Sequence, residues 1–397
     1  LILLRVAITF IVFLSIPVAA KDINLDEIYI KRSSPLLKKL IFQKLDTYEK
    51  LGAHFVDRNV IFSGWHSGDQ IIYIKEVPGN LNIVYRYWFR RNRGEEICRV
   101  SGIITYCRIT PNGRYLIMKR LIQREEIIPR GERVLIDIES NKQSVVKTRS
   151  PFADFSLAVN GASLLYESRR GIVVRKLDSG IERLLLRRKR YADIITSKNP
   201  SIAYISPNRR KILVINGAGG IYRGKLVEGA SRQVSGISSA TEIFWINNRS
   251  FIFRRGSVGN YSAILYDTDI RRKKVLLRNS LNTNLFYSYH AKILSLLKDQ
   301  IIILYFIAQN RLVNTGVEGE DISFDPGGRF FTTLLCRKLF VLNLQNVIRR
   351  RIELRRTWSS LLNLYQQLEG KSEDFENEFS GYYIKRKATM YRKLLHE

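Results

Sequence analysis

The sequence is poor in residues that staple, ligate or acidify a protein. It has three cysteines, four histidines and two methionines among 397 residues. So few cysteines exclude a disulfide-stapled miniprotein. No Cys-x-x-Cys occurs, and His54, His66, His290 and His396 show no ligand spacing, so no metal site is expected. Nine prolines and 25 glycines are too few for a fibrous chain. Acids are short as well, 36 Asp and Glu against 66 Lys and Arg. No Gly-x-Ser-x-Gly is present, which removes the nucleophile elbow of hydrolase domains. The glycine-rich Asn216-Gly217-Ala218-Gly219-Gly220 lies between strand-like runs and precedes no helix, so it reads as a hairpin loop rather than a phosphate cradle. Scattered His and sparse acids offer no catalytic constellation, and no cofactor is expected.

What is present points to a folded body with an address. Hydrophobic residues make up 45% and aromatics 11%, which excludes a disordered chain. Leu1 to Ala20 carries Arg5, an apolar run from Val6 to Leu14, Pro17 and the small-residue end Val18-Ala19-Ala20. That pattern predicts a signal peptide, with an uncleaved anchor as the alternative. Later apolar runs such as Ile301–Ala308 are strand-sized. The expected location is therefore the periplasm or cell envelope. Export permits disulfides, and Cys98 and Cys107 either pair or pack as reduced, small apolar side chains.

The remainder divides by period. Residues 21–59 hold one helix, started by Ser34-Pro35, striped by Leu36, Leu37, Leu40, Ile41 and Tyr48, and ended by Gly52. From 60 to 354 short apolar runs alternate with turn signals, and helical periods are absent, so this region is all-β. In 355–397 helical spacing returns with Trp358, Leu361, Leu362, Tyr365 and Leu368, then an acidic patch and the basic stretch Tyr382–Leu395. This tail is expected to pack on the β body, with a partner-binding hairpin as the sharper alternative.

The β region repeats. Thr110-Pro111-Asn112-Gly113-Arg114 before Tyr115-Leu116-Ile117 is one copy of a turn that enters a strand. Ser206-Pro207-Asn208-Arg209-Arg210 and Asp325-Pro326-Gly327-Gly328-Arg329 are two more, and Val159-Asn160-Gly161-Ala162 is a degenerate fourth. Proline fixes one φ, and Asn or Gly accepts the left-handed conformation that reverses the chain. A second, polar turn recurs near Asn92, Asn141, Ser179, Gly229, Thr268, Asn310 and Asn346, spaced by about 36 to 50 residues, the size of a four-stranded propeller blade. At these residues the chain resembles the TolB-type β-propeller family, whose repeat runs apolar-Ser-Pro-Asp-Gly-Lys/Arg before a strand. Here Asn208 and Arg209 replace the usual Asp and Gly, and Leu177-Asp178-Ser179-Gly180 resembles the family's hairpin end. The likeness spans about 61–354 and leaves no stretch among these residues for TolB's N-terminal α/β domain. It implies an all-β β-propeller, seven blades by the turn count with six as the alternative, flanked by short helices. A pair of β-sandwiches would not need one turn motif at blade spacing.

Function is less legible. The resemblance implies a non-enzymatic protein-interaction scaffold with partners in the envelope. A net charge of +30 suggests a second reading, attachment to anionic lipid or an acidic envelope polymer through basic blade rims, with nucleic acid disfavoured by export. An enzyme with its site at the channel mouth is the third. Candidate contact residues are Trp65, His66, Tyr222 and Trp245, with Tyr287 and Tyr289 beside them, and the rim cations Arg187, Arg188, Arg190, Arg271, Arg272 and Lys273. His66 lies in Gly64-Trp65-His66-Ser67-Gly68-Asp69, where a turn explains the residues better than a catalytic triad does.

Overall fold

The computed structural model describes residues 35–122, 130–146, 155–158, 161–168, 170–187, 201–218, 221–228, 230–234, 240–257, 260–280, 284–350, 353–369 and 378–396. The expected signal peptide, Gly370 and most of the acidic patch fall outside them.

Among the described residues, twenty-eight strands form seven four-stranded antiparallel sheets. The first strand, β1 (His54–Asp57), stands apart from its neighbours in sequence. Blade 1 follows as β2 (Val60–Trp65), β3 (Gln70–Val77), β4 (Leu81–Trp88) and β5 (Arg93–Ser101). Blade 2 is β6 (Ile103–Ile109), β7 (Tyr115–Ile122), β8 (Arg130–Asp137) and β9 (Lys142–Val145). Blade 3 is β10 (Phe155–Leu157), β11 (Ser163–Ser168), β12 (Gly171–Lys176) and β13 (Glu182–Arg187). Blade 4 is β14 (Ser201–Ile205), β15 (Ile212–Ala218), β16 (Ile221–Glu228) and β17 (Ala230–Val234). Blade 5 is β18 (Ala240–Trp245), β19 (Ser250–Ser257), β20 (Asn260–Asp267) and β21 (Lys273–Ser280). Blade 6 is β22 (Leu285–Ser288), β23 (Ile293–Lys298), β24 (Ile301–Phe306) and β25 (Arg311–Glu318). Blade 7 takes β26 (Glu320–Phe324), β27 (Phe330–Leu335) and β28 (Lys338–Asn343), and its fourth strand is β1.

The second strand of each blade explains the continuous apolar runs. In β3, Ile71 and Tyr73 pack with Leu339 and Val341 of blade 7, while Ile72 and Ile74 pack with Leu116 and Val134 of blade 2. Side chains alternate across a strand, so a strand buried on both faces must be apolar at every position. The same division recurs around the ring. Ile117 shares a cluster with Leu164, Leu165 with Val214, Leu213 with Phe251, Ile252 with Leu294, and Ile293 with Phe331. There are thus seven hydrophobic seams for seven blades, which closes the circle.

The repeat turn joins the first and second strands of a blade through one set of bonds. The side-chain oxygens of Thr110, Ser206 and Asp325 accept the backbone N–H five residues on, from Tyr115, Lys211 and Phe330, at 2.9, 2.9 and 2.8 Å. The N–H groups of Gly113, Arg209 and Gly328 donate to the carbonyl three residues back at 2.8, 2.8 and 2.9 Å. Those three residues have φ of 78°, 61° and 65°. Arg209 therefore holds the left-handed conformation where the family pattern has glycine.

Closure corrects two expectations. The turn expected at Gln345–Asn346 does not exist: both residues lie in the helix Leu344–Arg349, because the last blade needs no fourth strand from that end. The boundary expected at residue 60 falls within the propeller, since His54 and Phe55 pair with Val341 and Phe340. Joining both ends in one sheet ties the ring shut.

Among the described residues, four α-helices accompany the ring. They are α1 (Pro35–Lys50), α2 (Leu344–Arg349), α3 (Arg355–Glu369) and α4 (Glu378–His396). Trp358, Leu361, Tyr365 and Leu368 of α3 are buried with Tyr48 of α1, Tyr391 of α4 and the seam between blades 6 and 7. The tail packs on the propeller beside the N-terminal helix. Cys98 and Cys107 are free thiols against the seam between blades 1 and 2. Burial pushes Cys98 up to about 11 and Cys107 well above the ordinary thiol range.

Candidate functional site: the central channel

The innermost strands β2, β6, β10, β14, β18, β22 and β26 surround a cavity of about 1280 Å³. Every blade contributes to its wall, whereas no residue of α1–α4 does.

One end of the cavity lies where the innermost strands enter their turns. His66 lies there, 2.8 Å from the Gly113 carbonyl through Nδ1 and 2.8 Å from Glu139 Oε1 through Nε2. Cβ growth at Gly113 would strike the His66 carbonyl at 2.1 Å, so this turn seats directly on its neighbour. His290 of blade 6 reaches across the ring, and its Nε2–H donates to the Pro111 carbonyl of blade 2 at 2.9 Å. Both histidines line one end of the channel, His66 held by the neighbouring blade 2 and His290 by the same blade from across the ring.

Deeper in, the channel is charged. Arg108 in β6 places its guanidinium 4.5 Å from the centroid of the Phe244 ring, on blade 5. Tyr106, Tyr204, Tyr289 and Glu242 line the same cavity and act on the Arg108 charge. Burial works against that charge, but these neighbours outweigh it and raise its pKa. Burial raises the Tyr106 and Tyr289 phenols, so both remain neutral hydrogen-bond donors.

Two carboxylates sit near the starts of innermost strands, in unusual backbone. Glu242 has φ 50° and Asp321 φ 49°, each within an irregularity of strand register. Bulges re-aim side chains, and non-glycine residues at positive φ cost about 1–3 kcal/mol unless the surroundings enforce them. Glu242 accepts the Leu285 N–H at 2.9 Å and lies 3.7 Å from Arg254. Burial nevertheless raises its pKa. Asp321 accepts the Ser63 N–H at 2.7 Å, yet burial and nearby Glu320 push its pKa up to about 7. Lys119 is pushed down to about 8 by burial and by Arg133. Among the described residues, no three His, Cys, Asp or Glu side chains form a group that could hold a metal ion.

The expected contact residues disperse. Trp65 is buried between blades 7 and 1, and its indole N–H donates to the Ser323 carbonyl at 3.1 Å. Trp245 is buried between blades 4 and 5. Both are seam residues, and Trp65 also lines the channel, whereas Trp245 does not. Tyr222 lies in β16, the third strand of blade 4, and its side chain is outside the described set. Tyr287 and Tyr289 line the channel, with rings 4.6 Å apart. Arg187, Arg271, Arg272 and Lys273 are exposed at outer strands and their hairpins, while Arg188 and Arg190 fall outside the described residues. Arg108, Glu242 and Asp321 were missed. One usable signal existed: the innermost strand always enters the repeat turn, and Arg108 stands two residues before Thr110.

No family model matches the sequence, and no curated protein matches it. Solved structures do. TolB from Acinetobacter baumannii aligns with TM-score 0.37 and 15% identity over 56% of this chain and 54% of that one. The tricorn protease aligns with TM-score 0.49 and 11% identity over 85% of this chain but 35% of its own length. An oligogalacturonate lyase in complex with manganese gives TM-score 0.49 and 10% identity over 73% and 90%. The chain thus spans about half of that TolB and about a third of tricorn. Two of these three neighbours are enzymes, a protease and a lyase.

Proposed function

We propose that the chain is an exported β-propeller that works by binding another protein in the cell envelope rather than by catalysis, with the central channel as its receptor surface. The observation that carries this reading is the channel itself: a cavity of about 1280 Å³ walled by all seven blades and charged at its waist. Side chains held on strands sealed by seven seams present a rigid surface, which lowers the ordering cost of binding. The leader-like Leu1–Ala20 supports export. The test is crosslinking of the chain in its native envelope, followed by washing across a salt series. A stoichiometric protein that survives high salt and is displaced by untagged chain supports the reading. Capture of polyanions alone, lost at moderate salt, overturns it.

A second reading, attachment to anionic surfaces, is favoured by the exposure of Arg271, Arg272 and Lys273 on the rim of blade 5. The raised acid Asp321 is the feature that favours an enzyme instead.

A further inference from the structure

We propose that the waist of the channel is a carboxylate-binding subsite, in which Arg108, stacked on Phe244 and flanked by the Tyr106, Tyr204 and Tyr289 phenols, receives the C-terminal carboxylate of an extended peptide segment of the partner. This rests on the protein-binding reading above.

Charge pairing in the channel leaves Arg108 distinct. Arg254 lies 3.7 Å from Glu242 and donates to Asn284 Oδ1 at 3.2 Å. Glu242 is further engaged by the Leu285 N–H. Among the described residues, the Arg108 guanidinium makes no hydrogen bond or ion pair; its close contact is the face of Phe244. A guanidinium fork matches a carboxylate bidentately, and stacking on an aromatic ring holds the fork in place while leaving its edge free. The Tyr289 phenol, which lines the same cavity and which burial keeps protonated, can add an O–H donor to the same anion.

The surroundings select the kind of anion. Glu242 and Glu320 also line the cavity, so a dianion such as phosphate would set more negative charge beside them than a single carboxylate, which balances Arg108. Two contacts cross the ring, one from Arg108 on blade 2 to Phe244 on blade 5 and one from His290 on blade 6 to Pro111 on blade 2. A chain entering this channel cannot run through it without breaking those contacts, so it meets Arg108 with its end. The anionic end of a polypeptide is its C-terminus.

The test uses an array of pentapeptides tethered by their N-termini, each printed with a free and with an amidated C-terminus, probed with the purified full chain. Binding to free acids should exceed binding to the amidated twins by about tenfold or more. Arg108→Gln should bring the two to parity, and Arg108→Lys should keep part of the preference, with circular dichroism and thermal melting confirming that each variant is folded. If Arg108→Gln does not fold, Arg108→Lys decides: an undiminished preference, in a variant that has lost the fork, overturns the assignment. Equal binding to acids and amides overturns it, as does no binding to any peptide or a preference that survives Arg108→Gln. If Arg108→Gln still captures the envelope partner as wild type does, the subsite falls and the scaffold reading stands. If neither protein captures a partner, the scaffold reading falls first.

Discussion

Lys387 Nζ lies 3.1 Å from Glu318 Oε2, with 0% and 3% of the two side chains exposed. This ion pair joins α4 to the last residue of β25. Lys44 of α1 adds a second cation at 2.7 Å, and the Tyr365 and Tyr391 hydroxyls donate to Glu318 Oε1 at 2.9 and 2.8 Å. One carboxylate therefore gathers three helices onto blade 6. Burial alone would raise the Glu318 pKa, but Lys387, Lys44 and these hydrogen bonds outweigh it and bring it to about 2.

Glu318→Gln removes the buried carboxylate that Lys387 and Lys44 share, so it should destabilise the protein by about 3–5 kcal/mol. Chemical denaturation measures this. Adding Lys387→Met should recover part of the loss, because the two sites share one network. Additive losses would show that the pair is not coupled.

Asp321 gives the protein a pH-dependent weakness. The folded state keeps its proton up to about pH 7, whereas an unfolded Asp releases it near 4. The favourable contribution is therefore complete below about pH 4 and is lost as pH rises through about 7. Asp321→Asn keeps an oxygen for the Ser63 N–H and tolerates the left-handed backbone. It should stabilise the fold by about 1–3 kcal/mol at pH 8 and change little at pH 4. Melting curves at the two pH values provide the check, and an equal shift at both would contradict the assignment.

Gly316 is the seat of α3. Its carbonyl accepts the Trp358 indole N–H at 3.1 Å, and a Cβ there would lie 2.3 Å from Trp358 Cζ2, at φ +68°. Gly316→Ala should cost about 2–3 kcal/mol through overpacking and backbone strain. The loss should appear as faster hydrogen exchange in α3, with the seams of blades 1–5 unaffected.

The exposed cations of blade 5 test the surface-attachment reading. Replacing Arg271, Arg272 and Lys273 with Gln should weaken partitioning onto phosphatidylserine vesicles about 10- to 100-fold at low salt. The free-acid preference in the peptide array should not move. Unchanged partitioning would remove that reading.

Local physics made much of the fold readable. The turn at Thr110–Gly113 is written in residues that bond one another within six positions, and its copies at Ser206 and Asp325 repeat the same bonds. Strands such as β3 and β15 announce burial on both faces by their apolar runs. The helix stripe of Trp358, Leu361, Tyr365 and Leu368 was legible for the same reason, because helical neighbours lie three and four residues apart.

The channel was not legible because its wall takes one short strand from each blade. Arg108 meets Phe244 and His290 meets Pro111 across 136 and 179 positions of sequence. The pairing of His54 with Val341 was equally hidden: nothing in a four-residue strand states that its partner lies at the far end of the chain. The sequence by itself determined the repeat, the turns and the two-sided strands, since those follow from the reach of backbone hydrogen bonds and alternating side chains. Only the tertiary structure decided where the ring closes, which acids are forced to positive φ, and that Arg108 faces the central cavity stacked on Phe244. Those outcomes depend on closing a circle and burying charge, which no short segment does alone.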